Sequence, residues 1–355
     1  MDRLLSSSIG LPLRALMALA RRVKRGLLLL AAYGAYAISH LRNQAHYVVE
    51  QWPGERTLSG ARKVAVFGHF DAQGAVHDFV LHYLDELLAA GFEIVFVSNS
   101  PRLQPDGLHQ LRRRCAVVAR RRNLGYDFGA YKDGIGLLGD LGQLDELLIA
   151  NDSVYGPFRD LKGVLAQADT SHAAVWGITD CWDRAFHLQS YFVLFKQPAL
   201  RNPAFAAFWS NVRYVQAKTW VVRGYEVGLT RAMMRGGLRC AALFPYRQAA
   251  QALSDAVRRD GALAHEGLSP QHKAFLTTLF KAVDGGVPLN GSHFFWDHLI
   301  AVMGCPFLKR ELLHKNPAGV MFVNQWETVI KQAYPGYDTD PIHRHLEATL
   351  RHRAM

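Results

Sequence analysis

Two segments of this 355-residue chain place carboxylates beside amides and glycines in a way that suits ligand chemistry. The first runs Arg122-Asn123-Leu124-Gly125-Tyr126-Asp127-Phe128-Gly129. Its glycines let backbone approach a ligand closely, Tyr126 offers a face for stacking, and Asp127 accepts hydroxyl hydrogen bonds. Arg122 suits a charge-assisted contact with a diphosphate. A tight turn with a capping Asp accounts for the same residues. The second segment, Asn151-Asp152-Ser153, sets one carboxylate directly after an apolar run. A hard cation such as Mg²⁺ or Mn²⁺ takes oxygen ligands of this kind. A departing diphosphate needs such a metal, or Arg and Lys, to meet its charge. As a lone residue, Asp152 reads equally well as a helix N-cap.

Glu226 lies in Gly224-Tyr225-Glu226-Val227-Gly228, before an expected helix. A carriage of this kind suits a general base that takes the proton of an attacking alcohol, although acids also favour helix starts for electrostatic reasons. Asp180 and Asp183 are rival carboxylates, and His187, Gln189 and Tyr225 are the expected acceptor contacts. His69 and Asp71, in Gly68-His69-Phe70-Asp71, join the donor side with Asn151. His293 sits among aromatics, where a histidine is usually a packing residue; beside Asp152 it would complete a metal shell. The glycine-rich segment lacks G-x-x-x-x-G-K-[ST], and the loop after the first expected strand lacks G-x-G-x-x-G, which disfavours a kinase or a dehydrogenase.

These residues follow a regular series of elements. Strands are expected at Lys63–Phe67, Glu93–Val97, Cys115–Ala119 and within 144–150, with helices at 78–90 and 108–114 between them. Short apolar strands alternating with helices predict an open, mostly parallel sheet flanked by helices. Ligands of such sheets lie beyond the carboxyl ends of the strands, where the segments above fall. Residues 174–178 and 188–195 read as further strands, 253–270 as a surface loop, and 273–283 and 290–303 as helices. The expected division is 1–60, a basic and apolar helical segment; 61–335, one catalytic domain with a donor half at 61–160 and an acceptor half at 161–335; and 336–355, a basic tail.

The chain is 50% hydrophobic with 20% charged residues, enough for a large core, and its net charge of +11 points to an anionic partner. Two apolar runs, 11–19 and 26–38, are separated by Arg21, Arg22, Lys24 and Arg25. Each is shorter than the roughly 18–20 residues of a spanning helix, and together they resemble an in-plane anchor on an acidic membrane surface. Packing on the protein's own core is the competing reading. The cysteines, Cys115, Cys181, Cys240 and Cys305, are widely spaced without C-x-x-C, so buried reduced thiols are expected rather than a zinc site built from them. A basic nucleic-acid-binding protein fits the charge but lacks a recognisable binding module, so no nucleic acid is expected.

Asn123–Tyr131, Asn151–Pro157, Leu188–Phe195, Tyr225–Thr230, Ser292–Trp296, Pro306–Lys309 and Asn316-Pro317 together resemble the rhamnan synthesis protein F family. The resemblance implies an A-type glycosyltransferase fold, a nucleotide-sugar donor such as dTDP-rhamnose, and a polysaccharide or lipid-linked glycan acceptor. It also implies cell-surface polysaccharide or O-antigen synthesis at the cytoplasmic face of the inner membrane. Asp152 maps to the acidic metal motif and His293 to the C-terminal ligand region. Asn151 and Ser153 depart from the common D-x-D. A non-catalytic membrane adaptor with the same fold is the alternative.

Overall fold

The computed structural model describes residues 11–41, 47–259, 261 and 269–354. Its strands are β1 (Val48–Pro53), β2 (Lys63–His69), β3 (Glu93–Ser98), β4 (Val117–Arg121), β5 (Glu146–Asn151), β6 (Val154–Tyr155), β7 (Val175–Cys181), β8 (His187–Leu188), β9 (Phe192–Lys196), β10 (Cys240–Phe244) and β11 (Leu308–Lys309). The large sheet runs β1-β4-β3-β2-β5-β9-β7-β10, with β8 paired to β7. Its β4-β3-β2-β5 centre is parallel, as the apolar strands predict, whereas β1 and β9 run antiparallel to their neighbours.

Alternating side chains of β2 feed two cores. Ala65 and Phe67 pack beneath α2 (Asp78–Ala89), while Val64 and Val66 pack beneath α4 (Tyr126–Gly136), so helices cover both faces. Helix α3 (Pro105–Arg114) sits beside α2. The chain crosses from β4 through α4 to β5, on the far side of β2, so the strand order reverses between β2 and β5. That reversal opens a crevice beyond His69 and Asn151. Gly134 lets α4 press on the sheet, since a Cβ there would lie 2.4 Å from Val66 Cγ1. The helix is also tied to β4 by a buried ion pair, Arg121 Nε to Asp133 Oδ2 at 2.6 Å, with Asn99 Oδ1 accepting from Arg121 Nη1 at 2.6 Å.

Several sequence expectations change. The two N-terminal apolar runs form one helix, α1 (Leu11–Ser39), because nothing in the basic stretch between them breaks helical geometry. It neither stands apart nor sinks fully into the core: Ala32 and Ser39 are buried and Tyr36 stacks on Trp220 at 4.0 Å, while Leu19, Leu27 and Leu30 are exposed. No described helix is long and apolar enough to cross a membrane. The expected loop at 253–270 opens inside a helix, Tyr246–Arg258, and Pro270 begins another, Pro270–Asp284. Residues 336–355 carry the helix Asp340–Ala354, whose Arg344 meets Asp78 at 2.8 Å and whose Ile342 is fully buried. The expected strand over 188–195 is split into β8 and β9, and 290–303 into two short helices.

Candidate active site

The crevice beyond β2 and β5 is built from three returning segments. Directly after β5, Asn151 Oδ1 accepts from Ser153 N at 3.0 Å and from Ser153 Oγ at 2.6 Å, a local turn that aims Asp152 back toward β2. The chain then forms β6, and β11 pairs with it antiparallel, Lys309 opposite Val154. That two-stranded ribbon carries Lys309 and Arg310 to the crevice from far along the chain. Arg310 Nη1 donates to Asp152 Oδ2 at 2.9 Å and also to the Asp152 carbonyl.

At the start of α4, Gly125 (φ +80°) and Tyr126 (φ 53°) adopt left-handed backbone. A Cβ on Gly125 would meet Tyr214 Cα at 3.1 Å, so glycine answers both the conformation and the space. No side chain caps this helix start, which favours an anion there. Asp127 stands in the first turn. Burial, then the charges of Asp152 and Glu226, push its carboxyl up to about 6.

Glu226 closes a π-helical section, Val221–Glu226, between the helices Lys218–Trp220 and Val227–Arg235. Such a section widens the turn and often marks functional positions. Ser190 donates its backbone N–H at 2.8 Å and its hydroxyl at 2.9 Å to Glu226 Oε1. Glu226 Oε2 has no hydrogen-bond partner among the described residues. Tyr131 Oη in turn donates to the Ser190 carbonyl at 2.9 Å, so α4, the β8–β9 connection and the π-helical section are locked together.

Lys309 completes the cluster. Its Nζ lies over the Tyr191 ring at 3.8 Å, and burial pulls the ammonium down to about 8 against the opposing pull of Glu226 and Asp127. Asp127, Glu226, Lys309 and the Asp152–Arg310 pair therefore act on one another electrostatically in one crevice. A partly buried cation within electrostatic reach of carboxylates, one of which keeps an oxygen free of hydrogen bonds, is equipped to meet a developing anion and to take a proton.

Other expected site residues take different places. His69 is 2% exposed, with Nδ1 on Ser98 Oγ at 3.1 Å, and burial lowers its basicity, so its ring lies under the crevice. Burial would raise the Asp71 carboxyl, yet His77 and the N–H groups of Ala75 and Gln73 hold it well below the usual range, and it serves its own turn. Arg122 and Asn123 are exposed at the crevice rim. Asp180 uses both oxygens, on Tyr246 N at 2.6 Å and Trp182 Nε1 at 2.9 Å. Tyr225 Oη is consumed by the N–H and carbonyl of Arg213, both at 2.9 Å. These bonds leave Asp180 and Tyr225 as structural groups. Gln189 is tied to Thr179 at 2.6 Å and Asn290 at 3.4 Å.

The two residues expected to share a metal have protein partners or burial of their own. Asp152 is neutralised by Arg310, while His293 is lowered to about 4 by burial and then by Lys309, and Asp152 is not among the charges acting on it. These residues do not fit a divalent cation as the chain is folded. Among the described residues, ligand atoms gather within 4.8 Å only at Cys181, Asp183 and His187. There His187 Nδ1 bonds the Ala185 carbonyl at 2.9 Å, and burial lifts the Cys181 thiol to about 12, which keeps it protonated. Sequence reasoning missed Lys309 and Arg310 as site residues. Their pairing with β6 gave no signal beyond the Pro306–Lys309 motif.

Residues 94–258 match the rhamnan synthesis protein F family. Asp127, Asp152, Ser190 and Glu226 lie inside the matched segment, and Lys309 and Arg310 lie beyond it. Two relatives are similar to this chain. An uncharacterised protein, y4gN, of Sinorhizobium fredii is 29% identical over 198 residues, 53% of this chain and 51% of its own length. Virulence protein VirA of Vibrio anguillarum is 31% identical over 215 residues, 59% of this chain and 66% of its own. The chain thus spans about half the length of the first and just under two thirds of the second. Among solved structures, a protein assigned as a nucleotide-diphospho-sugar transferase from Desulfovibrio desulfuricans superposes with a TM-score of 0.31 at 12% identity, covering 63% of this chain and 98% of that one. A likeness that weak carries no argument.

Proposed function

We propose that this chain is an inverting glycosyltransferase that moves a sugar, rhamnose by the family's description, from a nucleotide donor such as dTDP-rhamnose to a polysaccharide or lipid-linked glycan. The observation that carries the reading is Glu226, fixed through one oxygen by Ser190, with the other free of hydrogen bonds among the described residues and Lys309 and Asp127 within electrostatic reach.

In this reading the acceptor hydroxyl attacks the anomeric carbon on the face opposite the diphosphate. Glu226 Oε2 takes the hydroxyl proton as the carbon–oxygen bond to the diphosphate breaks and its electron pair leaves with the phosphate oxygen. Lys309, Arg310 and the uncapped start of α4 meet that charge, which assigns to protein cations the part otherwise given to Mg²⁺ or Mn²⁺. Tyr126 stacks on the nucleotide or sugar, Asp127 accepts a sugar hydroxyl, and Arg122 and Asn123 hold the rim. His187 and Gln189 line the acceptor side. The exposed apolar residues of α1, flanked by Arg22 and Lys24, support attachment to an acidic cytoplasmic membrane surface.

The test is Glu226→Gln with nucleotide-sugar binding and transfer measured separately. Binding stays near the parent value and kcat falls about 10²–10⁴-fold, the usual worth of proton-transfer catalysis. Retention of anomeric configuration in the product, or undiminished kcat, removes Glu226 from the mechanism.

A further inference from the structure

Beside the Glu226 helix lies a second pocket that the reaction above does not use. It has a volume of about 570 Å³ and is walled by Arg184, Arg223 and Arg231, with Leu28 and Leu29 of α1 and one carboxylate, Asp183. None of the three guanidinium groups makes a hydrogen bond or ion pair among the described residues, so three cations face a single acid with their donors unspent. Arginine clusters with free, planar donor sets match phosphate oxygens in charge and in geometry.

The pocket borders an open apolar face of α1. Leu28 lines the pocket and lies on one face of the helix with Leu19, Val23 and Leu27, with Lys24 beside them. These leucines and the valine are exposed, between 51% and 61%. A run of exposed apolar surface that ends in a nest of unpaired arginines has the polarity of an amphiphile: phosphate at one end, hydrocarbon along the other. Position ties the pocket to the chemistry. Arg223 precedes Glu226 by three residues within the same π-helical section, and α1 is held to the adjoining helix by Tyr36 stacked on Trp220.

We infer that Arg184, Arg223 and Arg231 bind the phosphate or diphosphate of a lipid-linked molecule whose hydrocarbon chain lies along α1. The ligand's role as the sugar acceptor rests on the glycosyltransferase reading; its binding does not. Fixing the phosphate here presents the first sugar beyond it to Glu226, and the apolar face of α1 delivers the chain toward the membrane surface.

The test uses the full chain with farnesyl diphosphate as a short, soluble probe, and with farnesol and inorganic pyrophosphate as its separate halves. Calorimetry is expected to show farnesyl diphosphate binding more tightly than either half. Arg223→Ala with Arg231→Ala weakens it by about tenfold or more, since a charge-assisted contact is worth about 1.5–3 kcal/mol. Leu27→Gln, on the apolar face outside the arginine pocket, weakens the probe but not pyrophosphate. All these residues are exposed, so unchanged melting temperatures check that the variants remain folded. Equal binding of pyrophosphate and farnesyl diphosphate would reduce the pocket to a free-phosphate site and overturn the proposal, as would unchanged affinity in the arginine variant. Nucleotide-sugar binding is measured alongside: its loss from the parent with probe binding intact defeats the glycosyltransferase reading alone.

Discussion

Ser190 gives both its backbone N–H and its hydroxyl to one oxygen of Glu226, at 2.8 and 2.9 Å. A carboxylate held through one oxygen keeps its orientation while the other stays available for a proton. Ser190→Ala removes only the hydroxyl bond, so the fold persists and the carboxylate gains freedom. Transfer is expected to slow about tenfold with donor affinity unchanged, since one neutral-to-charged hydrogen bond is worth about 1.5–3 kcal/mol. A kcat equal to the parent's shows that the backbone N–H alone positions Glu226.

Asp152 and Arg310 form a half-buried pair at 2.9 Å, and the turn of Asn151 and Ser153 holds the acid in place. Asp152→Asn leaves Arg310 without its partner charge. The variant is expected to melt earlier, to lose donor affinity, and to show the same fractional loss at every Mg²⁺ or Mn²⁺ concentration. A loss that grows or vanishes across the metal titration assigns Asp152 to a cation instead.

Lys309 titrates near 8 in the folded chain against an ordinary 10.5, so it favours folding fully above pH 10.5 and loses that contribution as pH falls through 8. At pH 7 the buried ammonium therefore weighs against the fold. Lys309→Met should raise the melting temperature at pH 7, by a stability on the order of 1–2 kcal/mol, and the gain should shrink toward pH 10. The same variant loses transfer activity. Asp127 has the opposite sign: its value of about 6 stands above 3.8, so its favourable contribution is present below pH 3.8 and gone above 6. Asp127→Asn is accordingly expected to stabilise at pH 7 and to be neutral near pH 4, read by thermal melts at both.

Arg121 is 1% exposed and pairs with Asp133, which also accepts from the Tyr214 hydroxyl. Arg121→Met strands the buried Asp133 carboxylate. Urea unfolding should show a loss of about 3 kcal/mol, typical of a broken buried pair. A change within about 0.5 kcal/mol, the range of neutral surface substitutions, means that the Tyr214 hydroxyl and the Tyr47 N–H, which donates to Asp133 Oδ2 at 3.2 Å, suffice to hold Asp133.

The central sheet was legible because β2, β3 and β5 are buried on both faces and read as unbroken apolar runs. The crevice was legible for the same reason: Asp127 and Asp152 fall just beyond strand ends. The antiparallel strands were not, since nothing in Phe192–Lys196 distinguishes the direction in which it pairs. His69 and Asp71 misled because a polar residue at a strand end looks alike whether it faces a ligand or caps its own loop. Arg310 was invisible as the partner of Asp152, and Lys309 as a member of the cluster, because a two-residue strand has no periodicity and the Arg310–Asp152 bond spans 158 residues. Glu226 was singled out from its glycine-flanked position, but the π-helical section that carries it leaves no mark in the sequence.

The β6–β11 ribbon has a consequence for how the protein matures on the ribosome. Every strand of the large sheet is synthesised by residue 244, whereas both cations of the crevice arrive on residues 309 and 310. A nascent chain can therefore finish its main scaffold while its carboxylates still lack counter-charges. The charge balance of the crevice is completed only when residues 308–310 have emerged and paired with β6, after the sheet that surrounds it.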